Sequence, residues 1–268
     1  MKQKTLLFLK KHLVKLIKTH IIKRKPKYSI SKKLDVIIDV LKTGIPWISL
    51  KHIKGHESTY RKFFYKIRDA EILHIAFTNF INKLQIDHSL SFIDSTTIIN
   101  KLCNGESISY GFSNMKHKGI KITTLVNSNQ VPLSFSISKS NLHDTKLING
   151  ALDNCNKLPK KIVGDKGYLS KDLKKYLFSK GIDLIYPYKK YKKIKKKSKD
   201  DNNKFKKNKY LTNSDEELKL LKERHKVENF FATLKQYRRL NYIYEKDIRN
   251  FKVFVEFAFC MILLNKCI

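Results

Sequence analysis

The sequence predicts an α/β protein: a helical N-terminal region leading into a mixed sheet with helices on its faces. Three observations predict it. Residues 1–88 carry apolar residues at helical spacing. From residue 89, a hairpin pattern is followed by alternating strand and helix patterns. Near the C-terminus, FVEFAFCMILL is densely apolar but contains Glu256 and falls short of the ~20 residues of a membrane span, so it reads as a buried core helix.

Taken in order, MKQKTLLFLKKHLVKLIKTHII opens like a signal peptide, but lysines interrupt everything after LLFL. It reads as a basic amphipathic helix. In SKKLDVIIDVLKTGIPW, Leu34, Ile37, Ile38 and Leu41 keep a 3.6-residue rhythm that Gly44 and Pro46 end. HESTYRKFFYKIRDAEILHIAFTNFINKL supplies one or two further helices, with Ser58 or Thr59 as N-cap and Arg61, Lys62, Lys66 and Arg68 following. Two readings stand open for this region: a helix-turn-helix-like DNA reader, or a packing module with a solvated basic face. Trp47, the single tryptophan, is expected in the N-terminal core.

The pattern changes at residue 89. LSFIDST is a short apolar run ending at Asp94, and GIKITTLVNSNQVPLSFSISK is two strand-like runs around NSNQ, a hairpin signal. NLHDTKLINGALDNC reads as a helix, with His143 a structural cap or surface residue and Asp144 an acid favoured in the first turn by the helix dipole. KKIVGDKGY is a strand that stops at Gly164-Asp165, SKDLKKYLFSKGI a helix capped by Ser170 and ended at Gly181, and IDLIYPY another strand. A long helix over 214–240 closes the series, opened by a Ser214–Glu217 capping box. Two domains follow: residues 1–88, helical, and 89–268, with a lysine-rich insertion at about 187–213. Asp94 and Asp165 both stand where a strand gives way to a loop, the edge at which open α/β sheets bind ligands.

Lysine and arginine number 57 against 23 acids, a net charge of +34. A polyanion relieves such self-repulsion, so nucleic acid is the expected partner. A hydrophobic content of 41% excludes a disordered polybasic binder. Residues 189–209 hold 12 lysines in 21 positions, a segment that cannot pack. Tyr188, Tyr191, Phe205 and Tyr210 are interleaved with that charge, which suits phosphate contact with stacking on bases. Cys103, Cys155, Cys260 and Cys267 show no CxxC spacing and read as reduced thiols of an intracellular protein.

RHKVENFFATLKQYRRL, residues 224–240, carries the chemistry. At about 100° per residue, Leu220, Val227, Phe230, Phe231 and Leu234 form one apolar stripe, and Arg224, Glu228 and Lys235 cluster at its edge. A carboxylate at that rim is partly desolvated and needs a partner: a metal cation, or Arg224 itself. With Asp94 and Asp165, Glu228 completes three carboxylates from separate elements. Carboxylate oxygens suit Mg²⁺ and Mn²⁺, and two ions roughly 3.5–4 Å apart clamp both oxygens of an in-line phosphoryl displacement.

FIDST, VGDKGY and ERHKVENFFATLKQYRRL resemble the three acidic motifs of bacterial insertion-sequence DDE transposases. Arg224, Glu228 and Lys235 match the group's Tyr–Arg–Glu–Lys signature, and Leu221 stands where the tyrosine is expected. NLHDTKL and WISLKHIKGHESTYRKFFYKIRD are similar to the family as well. The resemblance implies a ribonuclease-H-like core shared with retroviral integrases, with Asp94, Asp165 and Glu228 as catalytic metal ligands for two Mg²⁺ or Mn²⁺ ions. It implies cutting at transposon ends, joining of the freed 3′-hydroxyl to target DNA, and a dimer on double-stranded DNA. Arg224 and Lys235 would hold phosphate near the cut, and Arg238, Arg239, Lys166, Arg61 and Lys62 are expected as further DNA contacts. The protein is expected with DNA in the cytoplasm or nucleoid. The competing readings are another ribonuclease-H-like nuclease, such as a junction resolvase, and a catalytically silent transposase-derived DNA-binding protein.

Overall fold

The computed structural model describes residues 3–22, 26–50, 53–100, 109–110, 118–188 and 213–268. Residues 189–212 of the lysine-rich insertion, and Cys103, lie outside these. Four helices come first: α1 (Gln3–His20), α2 (Ile30–Thr43), α3 (Glu57–Asp69) and α4 (Ile72–Lys83). α1 buries Leu9, Leu13 and Ile17, one side chain per turn, as the amphipathic pattern predicts. The Ser29 side chain accepts from the Lys32 N–H at the start of α2, and Gly44, at φ +71°, ends it in the left-handed conformation that glycine adopts without strain.

At α3 the cap differs from expectation. His56 takes the position, its Nδ1 accepting from the Ser58 N–H, so Ser58 and Thr59 lie inside the helix. The exposed and buried faces of these helices are common to both N-terminal readings. α3 turns Arg61, Lys62 and Lys66 to solvent, while α4 buries Ile72, Leu73, Ala76, Phe77, Phe80 and Ile81 as a packing helix. Trp47 is partly buried, with its ring against Phe64 and Phe254.

The sheet follows. Its strands are β1 (Leu90–Asn100), β2 (Ser109–Tyr110), β3 (Lys118–Asn127), β4 (Pro132–Lys139), β5 (Lys161–Val163), β6 (Asp183–Ile185) and β7 (Tyr242–Ile243). β4, β3 and β1 run antiparallel as neighbours, and β5 and β6 continue the sheet parallel to β1. β2 pairs with β3 and β7 with the end of β1. The β3–β4 turn is organised by Asn127, whose Oδ1 accepts from the N–H groups of Asn129 and Val131. α5 (Asp144–Asp153) and α6 (Lys171–Ser179) cover one face. α8 (His225–Leu234) and α9 (Ile248–Cys267) cover the other. This is the ribonuclease-H-like mixed sheet that the motifs imply, flanked by helices.

Strand alternation divides the core. Phe92 and Ile98 of β1 join Ile120, Ile122 and Val126 of β3 on the α8–α9 face, while Ile93 and Leu125 face α5 and α6. α9 is the apolar axis, buried at almost every position from Phe251 to Leu264. The N-terminal helices pack onto it, so the stretches either side of residue 88 share one core. Among the described residues no helix is long and apolar enough to cross a membrane.

The single helix expected over 214–240 is divided in the structure. α7 (Asp215–Lys222), opened by the expected Ser214–Glu217 capping box, stops before Glu223. α8 starts at His225 and ends at Leu234, and a 3-10 turn follows at Arg238–Leu240. At the junction the amides of Glu223, Arg224, Lys226 and Val227 bond three residues back. That tightening breaks the regular ladder while leaving Glu223 and Arg224 in right-handed helical dihedrals.

Candidate functional site

β1 and β5 pair only along Leu90–Phe92 and Lys161–Val163, with Phe92 opposite Val163. Beyond that pair β5 ends and β1 runs on, leaving an opening along this side of β1 until β7 pairs at Ile99. Asp94 stands two residues past Phe92, and Asp165 two residues past Val163. Parallel register therefore brings the two aspartates to the same level on either side of the opening.

Asp94 is largely shielded, its side chain 22% exposed. Its Oδ1 accepts from the Ser95 N–H at 2.8 Å, and its Oδ2 accepts from Arg224 Nη1 at 3.1 Å. Burial pushes its carboxyl up to about 6; the Ser95 amide and Arg224 oppose the rise, and the charges of Asp165 and Asp144 add to it. Arg224 comes from the tightened α7–α8 junction, and its second guanidinium nitrogen donates to Glu228, one turn on in α8. Glu228 is half exposed, at 51%. One guanidinium thus joins two of the three predicted carboxylates. Arg224 is one of the two partners the sequence left open for Glu228.

Asp165 begins a 3-10 turn, Lys166–Tyr168, and its Oδ1 accepts from the Gly167 N–H at 2.8 Å. The turn drives Tyr168 into the core under Ser95, with the two hydroxyls 3.4 Å apart. Burial raises the Tyr168 phenol far above its ordinary range, so it stays protonated. Ser95 Oγ also lies 2.8 Å from Thr123 Oγ1 of β3. The residue after one aspartate is thereby tied to the turn that begins with the other.

Sequence reasoning passed over Lys121 at this opening and gave Asp144 a first-turn role alone. Asp144 starts α5, as expected of a first-turn acid, but its Oδ1 also accepts from Lys121 Nζ at 3.1 Å. Lys121, on β3, donates to the Leu142 carbonyl at 3.0 Å as well. The available signal was topological: the turn from β4 into α5 leaves Asp144 close to the end of the sheet where Asp94 and Asp165 lie. His143 is the N-cap of α5, accepting from the Thr145 N–H, the structural role the sequence suggested.

The predicted cations fall into two groups. Lys166, Lys235, Arg238, Arg61 and Lys62 are exposed. Arg61 lies 3.5 Å from Glu57, and Lys235 closes α8 as its C-cap. Arg239 departs from expectation: it is 5% exposed, gripped by Glu245, with its guanidinium over the rings of Tyr244 and Phe254. It is turned into the core because the chain leaves the helix after Leu234 and the 3-10 turn re-aims it.

Among the described residues, no three His, Cys, Asp or Glu side chains stand together as a ready metal cage. The donor chemistry nevertheless fits a hard divalent cation. Asp94, Asp165 and Glu228 offer carboxylate oxygens alone, the choice of Mg²⁺ and Mn²⁺. The shielded Asp94 is already held by a cation, the guanidinium of Arg224.

The model of a family described as the transposase DDE domain matches residues 85–264. No curated protein matches the chain. Among solved structures, one that is similar is a piggyBac transposase in a synaptic complex with hairpin DNA. The TM-score is 0.40 and the identity 12%, over 69% of this chain and 49% of that one. The chain spans about half the length of that protein.

Proposed function

The chain belongs to the DDE transposase family, and from that premise we propose that it cuts DNA at transposon ends and joins the freed 3′-hydroxyl to target DNA. In the first step a water oxygen attacks the scissile phosphorus, the P–O3′ bond breaks, and the leaving 3′-oxygen takes up a proton. In the second, that 3′-hydroxyl loses its proton and attacks a target phosphorus, whose own P–O3′ bond breaks, and the leaving 3′-oxygen takes up a proton in turn. One phosphodiester is exchanged for another, so no energy-carrying cofactor is needed.

Asp94, Asp165 and Glu228 would hold Mg²⁺ or Mn²⁺, two ions in all, and these would supply an activated nucleophile and charge stabilisation at the leaving oxygen. The chain's own cations do the rest. Arg224 neutralises Asp94 and Glu228 before substrate arrives, then passes to the phosphate beside the cut. Lys166, Lys235 and Arg238 extend the phosphate track, and the α3 face bearing Arg61 and Lys62 gives a second basic surface. Two copies acting on paired ends account for a dimer on DNA.

The carrying observation is the register of β1 and β5, which sets Asp94 level with Asp165 at an opening that Arg224 links to Glu228. The test is a labelled duplex bearing the transposon end, incubated with the purified protein and Mg²⁺. Nicking at the end followed by joining to a target supports the reading. Cutting confined to branched DNA points to a resolvase, and binding without cutting to a silent DNA-binding protein. Either of those outcomes overturns the proposal.

A further inference from the structure

A fourth carboxylate stands at this opening. A side chain at Gly167 would put its Cβ 2.9 Å from Asp165 Oδ1 and 3.1 Å from Asp144 Oδ2. Both distances are inside van der Waals contact, so any larger residue would force the carboxylates away. Gly167 is absent from the positive-φ glycines, so no left-handed backbone calls for it. Gly167 thus lies between two acids from different elements, one opening α5 and the other capping the 3-10 turn two residues past β5.

Two like charges so close disfavour each other unless a cation joins them. Lys121 does not fill that place, because it holds Asp144 by the other oxygen, Oδ1. Arg224 does not either, since it holds Asp94 and Glu228. Among the described residues, the hydrogen bond given to the Asp165 carboxylate is that of Gly167 N–H. Lys121 is partly buried, its side chain 15% exposed, and is anchored on the Leu142 carbonyl as well as on Asp144. The charge of Asp144 also reaches Asp94, where it adds to the rise of the Asp94 carboxyl.

Resting on the proposed metal-dependent reaction, we propose that Asp144 is a further member of the reaction site: a carboxylate fixed through Oδ1 by Lys121 and turned through Oδ2 toward Asp165, whose charge draws and holds the divalent cations. An ordinary first-turn acid paired with a lysine would contribute to α5 alone. The two roles differ in a measurable way.

The test is calorimetric titration of the full chain with Mn²⁺ alone, without DNA, alongside thermal unfolding. Asp144→Asn keeps the shape and removes the charge. It should weaken Mn²⁺ binding on the order of tenfold, as loss of a supporting carboxylate does at metal sites, and Asp144→Glu should recover part of the loss. Lys121→Met removes the lysine's charge and leaves that of Asp144, so Mn²⁺ binding should be no weaker than in the unmodified chain. Gly167→Ala, which separates the two carboxylates, should weaken binding in the same direction as Asp144→Asn. If Asp144→Asn leaves Mn²⁺ affinity unchanged, whatever it and Lys121→Met do to thermal stability, Asp144 is a structural acid and the inference falls. Asp94→Asn separates this failure from a wider one. Unmodified chain that binds Mn²⁺ no better than Asp94→Asn would overturn the metal-dependent reading together with the inference.

Discussion

Arg224 and Asp94, 130 positions apart in the chain, meet at 3.1 Å across the opening between β1 and β5. The contact joins the helical layer to the strand edge and leaves a buried carboxylate neutralised by an organic cation. A divalent ion bound by Asp94 and Glu228 competes for oxygens that Arg224 now holds.

Arg224→Gln is therefore expected to act in opposite directions on two measurements. Removing the guanidinium frees both carboxylates and leaves the opening more negative, so Mn²⁺ affinity without DNA should rise several-fold. End cleavage should fall by about 10²–10³, the range for loss of one charge-stabilising donor. Calorimetry and single-turnover cleavage check the pair of outcomes.

Divalent-ion binding should depend on pH through Asp94. Its carboxyl is raised to about 6 in the folded chain, chiefly by burial. For an acid with a raised value, the folded state binds the extra proton between the ordinary carboxylate range and about pH 6. This group thus favours folding at the acid end of that window, and the benefit is lost as pH rises through about 6. Divalent ions need the ionised form, so Mn²⁺ affinity should drop as pH falls through about 6. Titrations at a series of pH values check this, and the drop should be absent from Asp94→Asn, whose residual affinity is lower throughout.

Glu256 makes the same argument away from the site. It lies in α9, 3% exposed, and burial raises it to about 7 despite Lys252 nearby; Glu71 adds to the rise. His74 Nδ1 and Lys252 Nζ stand 3.8 and 3.7 Å from its Oε1. The ionised form costs stability above neutrality, so Glu256→Gln should raise the thermal midpoint by several degrees at pH 8. The difference should shrink as the pH is lowered through 7 toward 5. Unfolding scans across that range are the check.

Arg238 and Arg239 are neighbours with opposite fates. Arg239→Ala strands Glu245 in the core and should cost about 3–5 kcal/mol of stability, the loss typical of breaking a buried ion pair. Arg238→Ala should leave stability unchanged and weaken DNA binding, making the salt dependence of log K shallower by about 0.9 if one phosphate contact is lost. Denaturant unfolding and binding across a salt series separate the two.

The strands, the hairpin and the caps at Ser170 and Ser214 were legible because each has a local cause: alternation, turn residues, a side chain that satisfies a helix-end amide. Asp165 was legible as a residue just past a short apolar strand, but Asp94 was placed at a strand end and lies inside β1, paired with Thr124 of β3; the edge it stands at arises because β5 stops at Val163 while β1 continues. The α7–α8 break was not legible, since Glu223 and Arg224 stay helical in dihedral angle and no glycine or proline marks them. Arg239 was expected at DNA beside Arg238, and its burial follows from the 3-10 turn after α8, which no local pattern announced. Asp144 was read correctly as a first-turn acid. Its meeting with Lys121 and Gly167 joins three segments that no local pattern connects.

The most direct test of the shared cation pocket is anomalous scattering from crystals grown with Mn²⁺. The account predicts manganese peaks contacted by Asp94, Asp165 and Glu228, with the Arg224 guanidinium moved off Asp94. Saturating manganese that leaves Arg224 on Asp94 and binds elsewhere, or not at all, would contradict it.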